Sequence, residues 1–276
     1  MRCYDRLTQA VLRRPVELGL MRSVIVLMVL LVFGTAGYVS ALDHKNLDEG
    51  RPLRLEDAYS IADGEFAIET GAGFTLERRG PARGFFPVEL LYGAYPNLQL
   101  SIGTSLSTDP HDIEDPPKSG DLRFNALYNF NQETIALPAF AIKLGVDTPT
   151  GIDARGYAIE LKGIITKSIQ RLSLHLNAGY EFLTSTRRGE RDGRYHLALG
   201  ASYPIGAPKF TRLTLVGDVF AEQSGRRGEA SVVGTEFGLR YQLTARVVWD
   251  VGIGTEFAGP AHRSDLFLTT GFSWGF

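Results

Sequence analysis

The segment from Asp265 to Phe276 alternates between two kinds of side chain, and this alternation restricts it to a β-strand. One set of alternate positions is apolar and ends in aromatic residues, and the other is mostly small or polar. Successive side chains of a strand point to opposite faces, so a period of two predicts a strand with one apolar face. The apolar positions are Leu266, Leu268, Thr270, Phe272, Trp274 and Phe276.

The same alternation recurs along the chain in segments of roughly 9–12 residues, the length that a tilted membrane-spanning strand needs. Strands of water-soluble proteins are shorter, nearer 5–6 residues. The pattern predicts twelve strands, or ten if Pro87 removes the weak second one. They are 65–77, 86–95, 98–107, 121–130, 135–147, 157–167, 172–183, 194–204, 211–222, 230–242, 245–257 and 265–276.

The connections between these segments alternate in length. Links after even-numbered strands are short, and most links after odd-numbered strands are longer and more polar. Outer-membrane barrels combine short periplasmic turns with long outer loops, and an even strand count places both termini in the periplasm. We therefore predict an all-β fold, a transmembrane antiparallel up-and-down β-barrel over residues 65–276.

Residues 1–41 have the pattern of a signal peptide. Arg22 precedes an apolar run of about 11 residues, and small residues follow up to Ala41, where we place cleavage. The run is shorter than the ~20 residues of a typical span, which disfavours the alternative of a membrane anchor. Met21 is an alternative start. Residues 42–64 are predicted to be a periplasmic lead-in or, alternatively, a plug inside the barrel.

Composition excludes several other classes of protein. The mean hydropathy of −0.04 is too low for a helical membrane protein. Cys3 is the only cysteine, so the mature chain contains neither a disulfide nor a thiolate metal site. Removal of residues 1–41 takes away five arginines and two acids and leaves 24 basic against 29 acidic residues, a net charge of −5. This charge argues against a nucleic-acid partner.

The face opposite the apolar one carries many ionisable side chains. One interpretation is a polar conduit whose acidic excess favours cations; the alternative is a lumen filled by charge pairs, because isolated buried charges are costly. The predicted lumen-facing residues are Glu69, Glu89, Arg123, Lys143, Glu160, Lys162, His175, Glu181, His196, Asp218, Glu236, Arg240, Asp250 and Glu256.

Histidines and acidic residues are the candidates for metal ligands or catalytic groups. His175 and His196 fall on adjacent predicted strands and could approach each other, but their spacing is not that of a metal motif. His262 is close to Ser264 without the third group of a hydrolase site. The acidic loop 109–117 containing His111 lacks a calcium-loop pattern. The sequence therefore predicts no catalytic residues, metal site or cofactor, and a lipid hydrolase is the least favoured alternative.

Two pairs of segments resemble a known family. They are 52–58 (PLRLEDA) with 64–71 (GEFAIETG), and 120–126 (GDLRFNA) with 138–151 (PAFAIKLGVDTPTG). These residues resemble the outer-membrane transporter family named for the meta-pathway of phenol degradation, over roughly residues 50–276. The resemblance implies a porin-like barrel in the bacterial outer membrane of a Gram-negative organism that passes small organic compounds, often aromatic ones.

The function expected from the pattern and the resemblance together is a passive pore or uptake channel, with a closed structural or surface-interaction barrel as the alternative. The expected partners are outer-membrane lipids, small-molecule solutes and the barrel insertion machinery, and the chain is expected to be a monomer. Phe272, Trp274 and Phe276 in the last strand resemble the signal that this machinery reads.

Overall fold

The computed structural model describes residues 43–79, 82–108, 118–151, 154–206, 211–261 and 263–276. The predicted signal peptide lies outside these residues. Twelve long strands follow in chain order, which we label β1 to β12. They are Phe66–Glu77, Ala82–Tyr95, Leu98–Thr108, Leu122–Asn131, Ala139–Thr148, Ala158–Ile169, Leu172–Leu183, Gly193–Ile205, Leu213–Glu222, Val232–Thr244, Val247–Ala258 and Ser264–Gly275.

The strands form one closed antiparallel barrel. Each strand pairs with its neighbours in sequence, and β1 pairs with β12 to close the sheet, with Thr70 opposite Phe272. Among the described residues, closure leaves none of the twelve long strands as an open edge, which a barrel in lipid requires. The prediction of a twelve-stranded up-and-down barrel is confirmed.

Two strand predictions were wrong in extent. β2, predicted to be the weakest, has 14 residues and starts at Ala82. Pro87 is tolerated because the β1–β2 pairing is interrupted there, between Thr70–Val88 and Gly73–Phe85, while β2–β3 pairing continues through Pro87. β5 begins at Ala139 and not at residue 135, because the apolar residues before Pro138 lie in an exposed turn. A two-residue strand, Lys118–Ser119, pairs with the end of β3.

The outer face of the wall is apolar. On β7, for example, Leu174, Leu176, Tyr180 and Phe182 are 38–54% exposed, while the intervening His175 and Asn177 are buried. A continuous exposed apolar band around a closed barrel is what contact with lipid tails requires. Among the described residues, no helix is long and apolar enough to cross a membrane.

Residues 43–62, which we call the lumen segment, lie inside the barrel. Leu47, Leu53 and Leu55 pack against inward-facing side chains of β8, β9 and β12, and Ala58 packs against side chains of β4, β5 and β6. The buried apolar core of the protein is therefore formed between this segment and the wall, because the wall's own apolar face is turned to lipid.

Inward-facing glycines make room for the lumen segment. A Cβ added at Gly238 would lie 2.9 Å from the Cβ of Pro52, and one added at Gly200 would lie 2.9 Å from Cδ2 of Leu55. Both distances are shorter than a van der Waals contact. These two glycines of the polar face therefore allow the close approach of this segment.

Candidate functional site: the barrel lumen

The lumen segment enters and leaves at the end of the barrel where the short turns lie. Near its start, the ring of His44 lies 2.7 Å from Oγ1 of Thr214 in β9. Near its end, the amide of Ile61 donates to the side-chain oxygen of Gln99, close to the start of β3. Arg54, between them, reaches Glu222 at the far end of β9. The segment thus fills the half of the lumen next to the short turns and turns back near mid-height.

Two arginines form ion pairs in the half of the lumen next to the short turns. Arg51 lies 3.2 Å from Glu69 and 3.3 Å from Asp250. Arg240 of β10, whose side chain is fully buried, lies 3.2 Å from Asp48. Each pair joins the lumen segment to the wall, and a buried charge that lost its partner would cost several kcal/mol.

A second group of charges lies on the opposite wall. Lys162 lies 2.6 Å from Glu49 and 2.7 Å from Glu56, and Lys143 lies 3.0 Å from Glu49 and 2.9 Å from Glu56. Asn177 reinforces the group, because its side-chain amide bonds both the amide and the carbonyl of Glu56. Two lysines of the wall and two glutamates of the segment therefore neutralise each other, and of the four only Glu49 is substantially exposed.

Above the segment lies the outer cavity, with a volume of about 620 Å³. Its floor includes Glu49 and Arg54, and its walls carry charged side chains on the strand ends that lead to the long loops. Two arginines and one histidine of the cavity face acids across strands: Arg123 lies 2.5 Å from Asp147, Arg194 contacts Glu181, and Nε2 of His196 lies 3.1 Å from Glu160.

One carboxylate of the cavity is bound by neutral hydrogen-bond donors. Glu89 accepts bonds from the hydroxyl of Ser101 and, at 3.1 Å, from the side-chain amide of Asn125. Among the described residues of the wall, the lining of the outer cavity includes more acids than lysines and arginines.

The fourteen side chains predicted to face the lumen all lie on the inner face, but they divide between two environments. Six line the outer cavity: Glu89, Arg123, Lys143, Glu160, Glu181 and His196. Seven are buried at or near the lumen segment and lie outside the cavity lining: Glu69, Lys162, His175, Asp218, Arg240, Asp250 and Glu236. Glu256 is 9% exposed and faces Arg54. The charged partners on the segment, Asp48, Glu49, Arg51, Arg54 and Glu56, were not singled out from the sequence.

The two histidines of the wall do not come together. His175 is hydrogen-bonded to Thr166 and Ser202, whereas His196 faces Glu160. No group of three or more His, Cys, Asp or Glu side chains suited to a metal ion occurs in the described residues. His111 and His262 lie outside the described residues.

The sequence matches a family model over residues 50–274, and the description of that family is MetA-pathway of phenol degradation. The chain belongs to this family. No curated protein matches the sequence.

Solved structures of similar shape are outer-membrane barrels. An outer-membrane channel from Pseudomonas putida is 15% identical with a TM-score of 0.64, and the match covers 84% of this chain and 100% of that one. The NanC porin is 10% identical with a TM-score of 0.56, covering 75% and 98%. The KdgM porin is 12% identical with a TM-score of 0.51, covering 76% and 99%. The chain therefore has the fold of an outer-membrane β-barrel.

Proposed function

We propose that this family member is a passive channel for small organic molecules, aromatic ones included, across the outer membrane. The observation that carries the proposal is the outer cavity, a polar space of about 620 Å³ inside a wall whose outer face is apolar. Binding sites for small organic ligands have volumes of roughly 300–1,000 Å³. The similar solved structures are of a channel and two porins, which supports the same function.

The lumen segment sets the size limit in this proposal. It occupies the half of the barrel beyond the outer cavity, and its ion pairs with Lys143, Lys162 and Arg240 hold it there. A solute that fits the cavity must then cross the other half of the barrel, either beside the lumen segment or after the segment shifts. The excess of acids in the wall of the cavity, Glu89 among them, gives the path a preference for cations over anions.

Flux of neutral solutes into liposomes tests the proposal. Arabinose and phenyl glucoside, which are small and polar, should enter vesicles containing the refolded protein much faster than empty vesicles, and maltotetraose should not. Asn125→Trp would place a large ring in the outer cavity and should reduce the flux several-fold. Phe124→Trp, one residue away on the lipid-facing side, is the matched control and should leave the flux unchanged.

A closed structural barrel is the competing function, because the lumen segment occupies half of the lumen. Equal entry of arabinose into protein-containing and empty vesicles would establish that alternative and reject the channel.

Assembly is a separate proposal. Phe272 and Trp274 of β12 are 47% and 40% exposed on the outer face, and Phe276 follows the strand. We infer that this aromatic ending is read by the barrel insertion machinery and that the chain inserts as a monomer.

A further inference from the structure

Arg54 of the lumen segment occupies a site built by the wall. Its Nε lies 2.9 Å from Glu222, its Nη1 lies 3.2 Å from Glu236, and its Nη2 lies 3.9 Å from Glu256. Its guanidinium carbon lies 3.9 Å from the ring centre of Phe220, which is within the range of a cation–π contact. The ring centre of Phe267 lies 5.0 Å from the same carbon. We call these five wall residues the Arg54 site.

The wall offers this site more carboxyl groups than Arg54 can pair with. Three glutamates face the guanidinium, and Asp218, which is 4% exposed, lies opposite Glu236 across the β9–β10 pair. One guanidinium therefore lies beside a cluster of four acidic side chains. Carboxylates beside aromatic faces are the chemistry that recognises organic cations.

The site and its occupant belong to different elements. The acids and rings project from β9, β10, β11 and β12, whereas Arg54 comes from the lumen segment and is a third exposed at the floor of the outer cavity. Phe220 and Glu222 also line that cavity. A solute in the cavity can therefore reach the residues that bind Arg54.

We propose that the Arg54 site binds organic cations of the amidinium or guanidinium class, preferably with an aromatic group, and that Arg54 is an internal ligand that such a solute displaces. Glu236 couples the two events, because its other oxygen accepts the backbone amide of Arg54 at 2.7 Å. A cation that binds Glu236 replaces these contacts and so weakens the attachment of the lumen segment to the wall. The uptake of such cations rests on the proposed channel function. Their binding to the Arg54 site does not depend on it.

The test compares benzamidinium with benzamide, its uncharged counterpart of the same shape, by calorimetry on the full mature protein in detergent. Arg54→Ala empties the site, so benzamidinium should bind this variant at least tenfold more tightly than the wild type. Benzamide should show no gain. Adding Glu236→Gln to Arg54→Ala should lower the affinity for benzamidinium at least tenfold relative to Arg54→Ala alone. If Arg54→Ala fails to fold, Arg54→Gln replaces it.

The matched control is Arg51→Ala, which removes an arginine of the same segment whose partners, Glu69 and Asp250, do not line the outer cavity. It should not gain affinity for benzamidinium. Equal binding of benzamidinium and benzamide to Arg54→Ala, or an equal gain in Arg51→Ala, would overturn the proposal. Binding without any solute flux would reject the channel function and leave the site intact, so the two failures are distinguishable.

Discussion

Removal of the two wall lysines that hold Glu49 and Glu56 tests how the lumen segment is retained. In Lys143→Met with Lys162→Met, both glutamates keep their place in the segment but lose their cations. The side chains of Lys162 and Glu56 are 1% and 6% exposed, so solvent does not compensate. The segment should then leave its place in the lumen much more often.

The free-energy cost of the two substitutions follows from the burial of the two lysines and the two glutamates. Breaking a buried ion pair costs about 3–5 kcal/mol. Because the side chain of Glu49 is 27% exposed, we expect a smaller net loss, about 2–4 kcal/mol for the pair of substitutions. That loss raises the population of the released segment about 30- to 1,000-fold.

Cysteine labelling measures this population, because a protein that starts at residue 42 has no cysteine of its own. Leu55→Cys places a thiol where the native side chain is 1% exposed. A membrane-impermeant maleimide reacts with it at a rate proportional to the released population when reclosing is fast. The rate should rise about 30- to 1,000-fold in the double-methionine background.

The control variant adds Glu49→Gln and Glu56→Gln to the two methionines. No uncompensated charge remains, so protection of the thiol should return to near the original level. An unchanged labelling rate in the double-methionine protein, or no recovery in the quadruple variant, would refute electrostatic retention of the segment.

Three further predictions concern export, assembly and stability. Mass spectrometry of the protein isolated from membranes should give a chain starting at Leu42; an intact residue 1–41 segment would contradict cleavage after Ala41. Deleting Phe276 together with Trp274→Ala should lower the folded protein in cells several-fold without changing refolding in detergent; equal cellular levels would contradict an insertion signal. Arg240→Met removes the cation 3.2 Å from Asp48, whose side chain is 21% exposed, and should cost about 2–4 kcal/mol in denaturant unfolding; an unchanged midpoint would contradict the pairing.

The barrel could be predicted from the sequence because its wall obeys a local rule. Every strand alternates with a period of two, and the alternation in β12 or β7 is visible without knowledge of its neighbours. The exceptions occur where pairing with a neighbouring strand determines whether a segment is a strand. Pro87 weakens the local pattern, yet β2 continues through it because the β2–β3 pairing includes Pro87 and the β1–β2 pairing is interrupted there.

The contacts of the lumen segment could not be predicted because they depend on residues far apart in sequence. Arg51 faces Asp250, and Glu56 faces Lys143 and Asn177. Residues 43–62 have no periodic pattern, and the sequence left their position open. The inward glycines were a usable signal, since Gly200 and Gly238 mark where the segment packs.

Single-channel recording in planar bilayers tests the central claim, that this barrel is a channel narrowed by residues 43–62. The refolded mature protein should produce discrete conductance steps with a reversal potential that favours cations. A variant without residues 43–62 should give larger steps with the same cation preference. Silent bilayers for both proteins, or steps of equal size, would contradict the account.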